Sequence, residues 1–329
     1  MAGKIDWESQ IGRRIKLRDL HVFVAIVQRG SMAKAAVHLG VSQSAVSDVI
    51  ADLEHAVGVR LLDRGPRGVE PTSYGRALLT RSLAAFDELK QGIRDIEFLA
   101  DPAAGELRIG CVESLASAIL LPTIERFSRQ FPRAVLHVDR LTTPSLDLPT
   151  LRDRSLDLVL ARIMQPVAND DDLNVEILFN DHLVVVAGTA NRWTRRHEID
   201  LVELINEPWT LTPPGSRPYV ILKEAFQARG LAMPKIHLTT FSIPLRADLV
   251  ANGPYITTLP NSVLRFNAKQ FSLKALPIDL PVRPWPLAVV TMKRRTVSPV
   301  AQRFIEHARD FIRTLVGGAL QEKSRLGRP

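Results

Sequence analysis

Three apolar stripes at helical spacing dominate the first part of the chain. The first covers residues 17–28 and is followed by Gly30, a residue that favours the left-handed end of a helix. The second, MAKAAVHL, follows Ser31, and the third, QSAVSDVIADLEHAV, follows Ser42. Because serine is a preferred N-cap residue, this pattern predicts three short consecutive helices that begin and end at these positions.

The segment RLLDRGPRGVEPTSYG interrupts the helical pattern. Gly65, Pro66 and Gly68 favour a tight reversal between two short strands, and Arg64 and Arg67 lie in or beside it. Three helices followed by such a ribbon are typical of a winged helix-turn-helix. In that motif the third helix enters the major groove of DNA, where glutamine and serine side chains can meet base edges. The basic ribbon can hold phosphates.

A long amphipathic helix is predicted over residues 73–99, after Thr72 or Ser73. Its apolar residues recur at steps of three and four, a coiled-coil spacing, and are Leu79, Leu83, Phe86, Leu89, Ile93 and Ile96. A projecting helix must bury its apolar face, so we predict that this helix makes a dimer. Packing of the stripe on its own chain is the alternative.

From residue 106 onward, short strand-like runs alternate with helical ones. Examples are LRIGCV, LASAILLPTIERFSRQFP, VLHVDRL, DLVLARI and HLVVVAG. This alternation predicts an α/β fold with parallel sheets covered by helices. Ligands of such sheets bind outside the carboxyl ends of the strands, so the residues that follow the strands are the candidate binding residues.

The composition of the chain excludes several classes of protein. A chain of 329 residues with 46% hydrophobic and 24% charged residues is too apolar for wholesale disorder and long enough for two or three domains. One cysteine, Cys111, excludes an intramolecular disulfide framework. No apolar run has the length of a membrane span or of a signal-peptide core, so we expect a cytoplasmic protein. Little of the net charge of +8 lies in the first 100 residues. A prediction of nucleic-acid binding by this region must therefore rest on the local sequence pattern and not on net charge.

The stretch GSMAKAAVHLGVSQSAVSDVIADLEHAVGVRLLDRGPRGVEPTSYG resembles the N-terminal domain of LysR-type transcriptional regulators. The later stretches GELRIGCVESLASAILLPTIERFSRQFPRAVLHV, SLDLVLARI, NEPWTLTPPGS, LVANGPYITTLP and SPVAQRFIEHARDFI resemble successive parts of the effector-binding domain of that family. The resemblance covers nearly the whole chain. It implies an all-α winged helix-turn-helix with a linker helix, followed by a two-lobed α/β effector domain similar to periplasmic binding proteins.

The resemblance also implies domain boundaries. We expect an N-terminal tail (1–16), a DNA-binding domain (17–72), a linker helix and hinge (73–104), an effector-binding domain (105–318) and a C-terminal tail (319–329). Within the effector-binding domain, lobe I is expected to comprise 105–162 and 268–318, and lobe II to comprise 163–267.

The predicted DNA contacts combine positions implied by the family with cap and wing residues: Ser31, Lys34, Ser42, Gln43, Ser44, Ser47, Asp48, Arg64, Arg67 and Thr72. Ser31 and Ser42 are also expected to cap their helices. Ser44 stands where the family usually has proline, and Asp48 where it has a basic or amide side chain. A carboxylate near DNA either accepts a hydrogen bond from cytosine or repels phosphate, so Asp48 is either a base reader or a solvated acid.

The effector contacts that the resemblance implies are Ser114, Thr143, Pro214, Gly215, Ser216, Thr240 and Ser242, and Glu113 is added to them because it lies next to Ser114. The hydroxyls among them follow strands and lie near helix starts, where free amides and the helix dipole favour an anion. The resemblance to the family implies a small organic acid as the effector, and these positions agree with that expectation. Glu113 would oppose a carboxylate, or select an effector that carries a hydrogen-bond donor. Ser114, Thr143, Ser216 and Thr240 can also be simple caps or turn residues.

No catalytic residue, cofactor or metal site is predicted, because no HExxH, GxSxG, Walker or GxGxxG spacing occurs. Cys111 is either a small buried residue or a redox sensor. The expected partners are promoter double-stranded DNA, further copies of the chain in a dimer or homotetramer, a small-molecule effector and RNA polymerase, but no membrane. The alternatives to a regulator are a two-lobed solute-binding protein of transport and an α/β enzyme.

Overall fold

The computed structural model describes residues 14–65, 68–101, 103–141, 148–163, 171–278, 280 and 285–326, with the backbone alone at residue 117 and from 315 onward. Contacts between Cα atoms divide the chain into two compact units, Met1–Ile93 and Arg94–Pro329. No helix in the described part of the chain combines the length and the apolar character needed to cross a membrane.

The N-terminal unit is built from three short helices, a two-stranded ribbon and most of a long helix. These elements are α1 (Leu17–Arg29), α2 (Met32–Leu39), α3 (Gln43–Val57), β1 (Leu62–Gly65), β2 (Gly68–Pro71) and α4 (Ser73–Ala100). Helices α1, α2 and α3 each end at a glycine in the left-handed conformation, as the sequence pattern predicts. The predicted order of helices, ribbon and long helix is confirmed.

The apolar stripes of α1, α2 and α3 meet in one core. Phe23, Ile26, Ala35, Val46 and Ile50 are fully buried there. Small alanines on α2 allow the neighbouring helices to approach closely. With the apolar side of α3 committed to this core, the polar side chains at its N-terminal end are left on the outside.

The second unit contains two five-stranded sheets. The first sheet comprises β3 (Ala104–Val112), β4 (Arg133–Leu141), β5 (Leu158–Arg162), β6 (Leu173–Asp181) and β12 (Trp285–Met292), in the order β4-β3-β5-β12-β6. The second comprises β7 (Leu183–Gly188), β8 (Trp209–Leu211), β9 (Ile236–Thr239), β10 (Ile256–Pro260) and β11 (Leu273–Ala275), in the order β11-β7-β10-β8-β9. We use lobe I for the part built on the first sheet and lobe II for the part built on the second.

Helices connect the strands in both lobes. They are α5 (Leu121–Gln130), α6 (Pro149–Arg152), α7 (Arg217–Gln227), α8 (Ile243–Asn252) and α9 (Asn261–Phe271), and a further helix, α10 (Pro299–Leu326), follows the last strand. Strands β3, β4 and β5 are parallel, as are β8, β9 and β10. The predicted α/β architecture with two lobes is therefore confirmed, and the carboxyl ends of these strands mark where a ligand would bind.

The chain passes between the two sheets later than predicted from the sequence. The prediction starts lobe II at 163, but β6 pairs with β12 in the first sheet, so the first passage lies at Asp181–Leu183. The prediction ends lobe II at 267, but β11 pairs with β7 in the second sheet, so the return follows Ala275. Both lobe boundaries were wrong because strand pairing decides membership of a sheet, and pairing partners lie far apart in the sequence.

Candidate nucleic-acid interface and ligand cleft

The N-terminal turn of α3 presents polar side chains to the outside. Ser42 is the N-cap, and its Oγ accepts a hydrogen bond from the backbone N–H of Ala45 at 3.2 Å, which confirms the predicted cap. The Oγ atoms of Ser42 and Ser44 are 2.9 Å apart. Gln43, Ser44 and Asp48 lie on the side of the helix away from the core, and all three side chains are exposed. These three side chains form the accessible polar end of a helix whose opposite side is buried.

Ser47 lies differently from the other predicted base readers. Its hydroxyl donates to Sδ of Met32 at 3.6 Å, in a part-buried contact between α3 and α2. Sulfur is a weak acceptor, but this contact directs the Ser47 hydroxyl toward α2 and not toward the outside.

Three other predicted DNA contacts lie at or near the N-terminal ends of helices α2 and α4. Ser31 is the N-cap residue of α2, but its side chain accepts no capping hydrogen bond, so the prediction of a side-chain cap there was wrong. Lys34 is exposed. The Thr72 hydroxyl donates to the Arg60 carbonyl at 2.8 Å and accepts from the Gly75 N–H at 3.0 Å, so it caps α4.

The ribbon is tied to the end of α1. The backbone N–H of Val69 donates to the Gly30 carbonyl at 2.9 Å. A Cβ atom on Gly68, whose φ is +121°, would lie 2.5 Å from the same carbonyl oxygen, so only glycine fits. Arg64 is exposed on β1, directly across from Val69. Arg67, the other predicted wing contact, lies outside the described residues.

On lobe II, predicted effector residues collect at the carboxyl ends of β8 and β9. Pro214 and Gly215 form an exposed turn after β8, and Ser216 is the N-cap of α7. The Ser216 hydroxyl donates to Oγ1 of Thr212 at 2.6 Å. The Thr240 N–H donates to the carbonyl at the end of β8, which holds the ends of these two neighbouring strands together.

Ser242 begins the next helix at the same edge. It is the N-cap of α8, and its Oγ accepts from the Leu245 N–H at 3.4 Å, while its own N–H donates to Oγ1 of Thr240 at 3.1 Å. The structure therefore brings the predicted residues of the two loops to one edge of the second sheet. Within the lobe, Ser242 caps α8 and Thr240 bonds the turn that precedes it, whereas the Ser216 hydroxyl makes no capping bond and donates to Thr212 instead.

On lobe I, the predicted residues follow β3. The Ser114 hydroxyl accepts from Nε of Arg162 at 3.2 Å. Glu113 has a carboxylate oxygen 4.0 Å from Nη1 of Arg140. Thr143 lies outside the described residues. Ser114 is thus linked to the end of β5, a connection that the sequence did not indicate.

A buried ion pair lies next to Ser114, where the chain passes between the lobes. Nη2 of Arg162 is 2.8 Å from Oδ2 of Asp181, and the two side chains are 2% and 0% exposed. Ser262, at the start of α9, donates to the same carboxylate oxygen at 2.6 Å and accepts from Nη2 of Arg162 at 3.0 Å. Burial lowers the pKa of the Arg162 guanidinium, and the charge of Asp181 opposes that shift. This cluster joins β5, the first passage between the sheets and α9.

Arg246 on α8 is a second buried guanidinium that sequence reasoning missed. It is 3% exposed, and its Nη1 donates to Oγ1 of Thr257 at 3.2 Å and to the Thr258 carbonyl at 3.1 Å. Burial lowers its pKa to about 10. The available signal was a charged residue on the apolar stripe of α8, which includes Ile243 and Ala247.

Redox and metal chemistry find little support in the described residues. Cys111 is buried, and burial raises the pKa of its thiol to about 12, so almost none of the reactive thiolate exists at neutral pH. This favours the packing interpretation of Cys111 over the redox one. Among the residues the structure describes, no group of three or more His, Cys, Asp and Glu side chains could hold a metal ion.

Two protein-family models match the two parts of the chain. Residues 17–76 match the model described as bacterial regulatory helix-turn-helix protein, lysR family. Residues 100–313 match the LysR substrate binding domain. The first match covers α1 to the start of α4, and the second covers both lobes.

Curated relatives match along almost their whole length. The transcriptional regulator TdcA of Escherichia coli (strain K12) is 29% identical over 297 residues, which cover 90% of this chain and 93% of TdcA. The transcriptional dual regulator GltC of Bacillus subtilis (strain 168) is 28% identical over 305 residues, which cover 92% of this chain and 99% of GltC.

Solved structures share the fold. A full-length OxyR variant of Pseudomonas aeruginosa has a TM-score of 0.62 and 21% identity, and the match covers 91% of this chain and 95% of that one. Full-length CbnR in complex with its target DNA has a TM-score of 0.57 and 21% identity, and the match covers 90% and 99% of the two chains.

Proposed function

Because the chain belongs to the LysR family of bacterial transcriptional regulators, we propose that α3 reads promoter DNA and that the two lobes bind the small molecule that controls transcription. The observation that carries the proposal is the accessible polar end of α3, formed by Gln43, Ser44 and Asp48, on a helix whose other side is buried. A helix of this kind can enter the major groove without disturbing its own core.

Each of the three side chains suits a different contact. The amide of Gln43 pairs with adenine through N6 and N7, and the Ser44 hydroxyl meets several bases. Asp48 accepts from cytosine N4 and therefore favours a C·G pair at one position. Lys34 and the wing residue Arg64 supply phosphate contacts that hold the helix in register. Ser47 has the weakest case among the predicted readers, because its hydroxyl is held by Met32.

The linker helix α4 supports a dimer. Leu89, Ile93, Ile96 and Leu99 on α4 are between 51% and 80% exposed, a continuous apolar surface at helical spacing. A second copy of the helix would cover this surface and give a two-fold dimer that reads an interrupted palindrome. Pairs of dimers would form a tetramer. RNA polymerase, as a further partner, and a cytoplasmic location belong to the same proposal, as does regulation without catalysis.

The buried cluster of Arg162, Asp181 and Ser262 supports a switch between lobe positions. Ser114 at the edge of lobe I hydrogen-bonds Arg162, which in turn bonds the passage between the lobes. A ligand that bonds Ser114 would therefore act on the segments that set the angle between the lobes. It shifts the balance of two arrangements only by its difference in affinity for them.

Binding of the full-length chain to DNA from its own upstream region tests the function directly. We expect specific binding at low salt whose affinity falls steeply as salt rises, because phosphate contacts release counterions. Binding equal to that of a scrambled duplex of the same composition would contradict sequence-specific recognition. A solute-binding protein of transport would bind neither duplex.

Replacing the wing residue tests the phosphate contact. Arg64→Ala is expected to weaken binding to specific and scrambled duplexes alike and to reduce the slope of log K against log salt by about 1. Fluorescence anisotropy at several salt concentrations measures this slope. Arg303→Ala, which removes an exposed arginine from the second unit, serves as the matched control. An unchanged slope for Arg64→Ala would contradict a contact with phosphate.

A double variant tests whether Ser114 and Ser216 contact the effector. Ser114→Ala with Ser216→Ala is expected to leave promoter binding intact and to weaken binding of the effector at least about tenfold, through two lost hydrogen bonds. The metabolite that most raises the melting temperature of the full-length protein serves as the ligand, and calorimetry gives its Kd. Ser155→Ala, an exposed serine on lobe I, is the control. An unchanged Kd in the double variant would move the effector away from these residues.

A further inference from the structure

Lobe II holds a buried positive charge that no carboxylate neutralises among the described residues. Arg246 is 3% exposed and makes hydrogen bonds to neutral groups, the hydroxyl of Thr257 and the carbonyl of Thr258. Its Nε has no hydrogen-bond partner in the described structure. The guanidinium therefore keeps both its charge and one free donor inside the lobe.

The surroundings of Arg246 contain a second unpartnered polar atom. Thr257 donates to the backbone carbonyl of Thr210 on the neighbouring strand β8, so the two threonines are adjacent. The neighbours of Thr210 in β8, Trp209 and Leu211, pack in the core on the other side of the sheet. Thr210 thus faces the side that α8 covers, and its Oγ1 is buried without a partner in the described structure.

These groups lie close to the edge where a ligand of lobe II would enter. Thr210 precedes the last residue of β8, and Thr258 stands two residues before the carboxyl end of β10. Arg246 lies one helical turn after Ser242, the N-cap of α8. The guanidinium bonds Thr257 and Thr258 of β10, and both it and the N-terminal amides of α8 favour an anion.

The energetics distinguish Arg246 from Arg162, a buried arginine of lobe I. Arg162 has Asp181 as its counter-ion, whereas burial alone shifts the pKa of Arg246, to about 10, with no anion opposing that shift. At neutral pH the group is still protonated. An isolated buried charge is costly, and folded proteins keep one only when something offsets the cost.

We propose that Arg246, together with the Thr210 hydroxyl and the N-terminal end of α8, binds an oxyanion group of the effector. This inference rests on the proposed function, because the anion would be part of the effector that the two lobes are proposed to bind. It makes the effector a small anionic metabolite, with either a carboxylate or a phosphate group. The planar guanidinium suits both, because its parallel N–H donors match two oxygens of one group.

Anion-specific stabilisation of the full-length protein tests the proposal. Melting temperatures are measured in sodium chloride, sodium acetate and sodium phosphate at equal ionic strength and neutral pH. Wild type is compared with Arg246→Met, which keeps much of the volume but removes the charge, and with Arg303→Met, which removes an exposed arginine. We expect acetate or phosphate to raise the midpoint of wild type and Arg303→Met by about 2–4 °C more than that of Arg246→Met.

The outcomes separate an anion site from a structural arginine. Loss of the anion-specific shift in Arg246→Met alone supports the proposal, and the salt that gives the shift identifies the group as carboxylate or phosphate. No anion-specific shift in wild type, or the same shift in Arg246→Met, overturns it. Promoter binding by the same three proteins distinguishes failure of the anion site from failure of the proposed function. If none of the three binds its upstream DNA, the proposed function is wrong, regardless of the melting temperatures measured in the three salts.

Discussion

Replacing Asp181 by asparagine is expected to lower the free energy of unfolding of the second unit by about 3–5 kcal/mol. The substitution keeps the size of the side chain but removes the negative charge beside Arg162. The guanidinium, 2% exposed, would then be a buried charge without a counter-ion. Ser262 would also lose its ionised acceptor, which is now 2.6 Å from its hydroxyl.

Urea unfolding followed by tryptophan fluorescence measures this effect, because Trp193, Trp209 and Trp285 all lie in the second unit. Asp248→Asn is the matched control: it removes an exposed carboxylate from α8 and should change stability by less than about 0.5 kcal/mol. A loss below about 1 kcal/mol in Asp181→Asn would mean that the ion pair contributes little.

The double variant Arg162→Met with Asp181→Asn shows which part of the loss is due to the unpaired charge. Removing both charges leaves no buried ion to compensate, so the double variant should be more stable than Asp181→Asn alone. If the double variant is as unstable as the sum of both single variants, the two side chains stabilise the fold independently. The cluster would then have no role as a unit at the passage between the lobes.

Local sequence rules predicted the N-terminal unit well. Helix ends at Gly30, Gly40 and Gly58 follow from the freedom of glycine to adopt a positive φ, which needs no tertiary information. Helix α4 differs from its predicted range, 73–99, by one residue. The apolar stripes decide which side of each helix is buried, so the outward position of Gln43 could be read from spacing alone.

The direction of a hydroxyl could not be predicted in this way. Ser31 and Ser42 occupy equivalent N-cap positions, yet only Ser42 accepts a backbone hydrogen bond. Ser47 falls outside the apolar stripe of α3, but Met32 on the neighbouring helix captures its hydroxyl. Such choices depend on side-chain rotamers and on neighbours that are distant in the chain, which a one-dimensional pattern does not contain.

The ion pair and the lone arginine of the two-lobed domain were missed for a related reason. Arg162 ends an apolar strand and Arg246 interrupts an apolar helical stripe, positions where a long side chain can also reach solvent. Whether the charge is buried depends on which strands lie next to it. Because β6 pairs with β12 rather than joining the second sheet, Asp181 arrives beside Arg162, and no local signal indicates that encounter.

The proposed DNA recognition predicts a large effect on binding when Gln43 is replaced. Gln43→Ala is expected to weaken binding to the promoter about tenfold to a hundredfold, since one good bidentate base contact contributes about 1–3 kcal/mol of discrimination. Binding to a scrambled duplex should change little, because phosphate contacts dominate there. The side chain is exposed, so its truncation should leave the stability of the unit unchanged.

Anisotropy titrations on promoter and scrambled duplexes at one salt concentration give the ratio of the two affinities, which is the quantity that matters. Gln227→Ala, an exposed glutamine at the end of α7, is the matched control and should keep the ratio of wild type. A substituted promoter set, with each base pair changed in turn, then locates the contact: the variant should lose its preference at one position only. An equal loss on both duplexes would instead place Gln43 against the phosphate backbone, and sequence reading would have to come from Ser44 and Asp48.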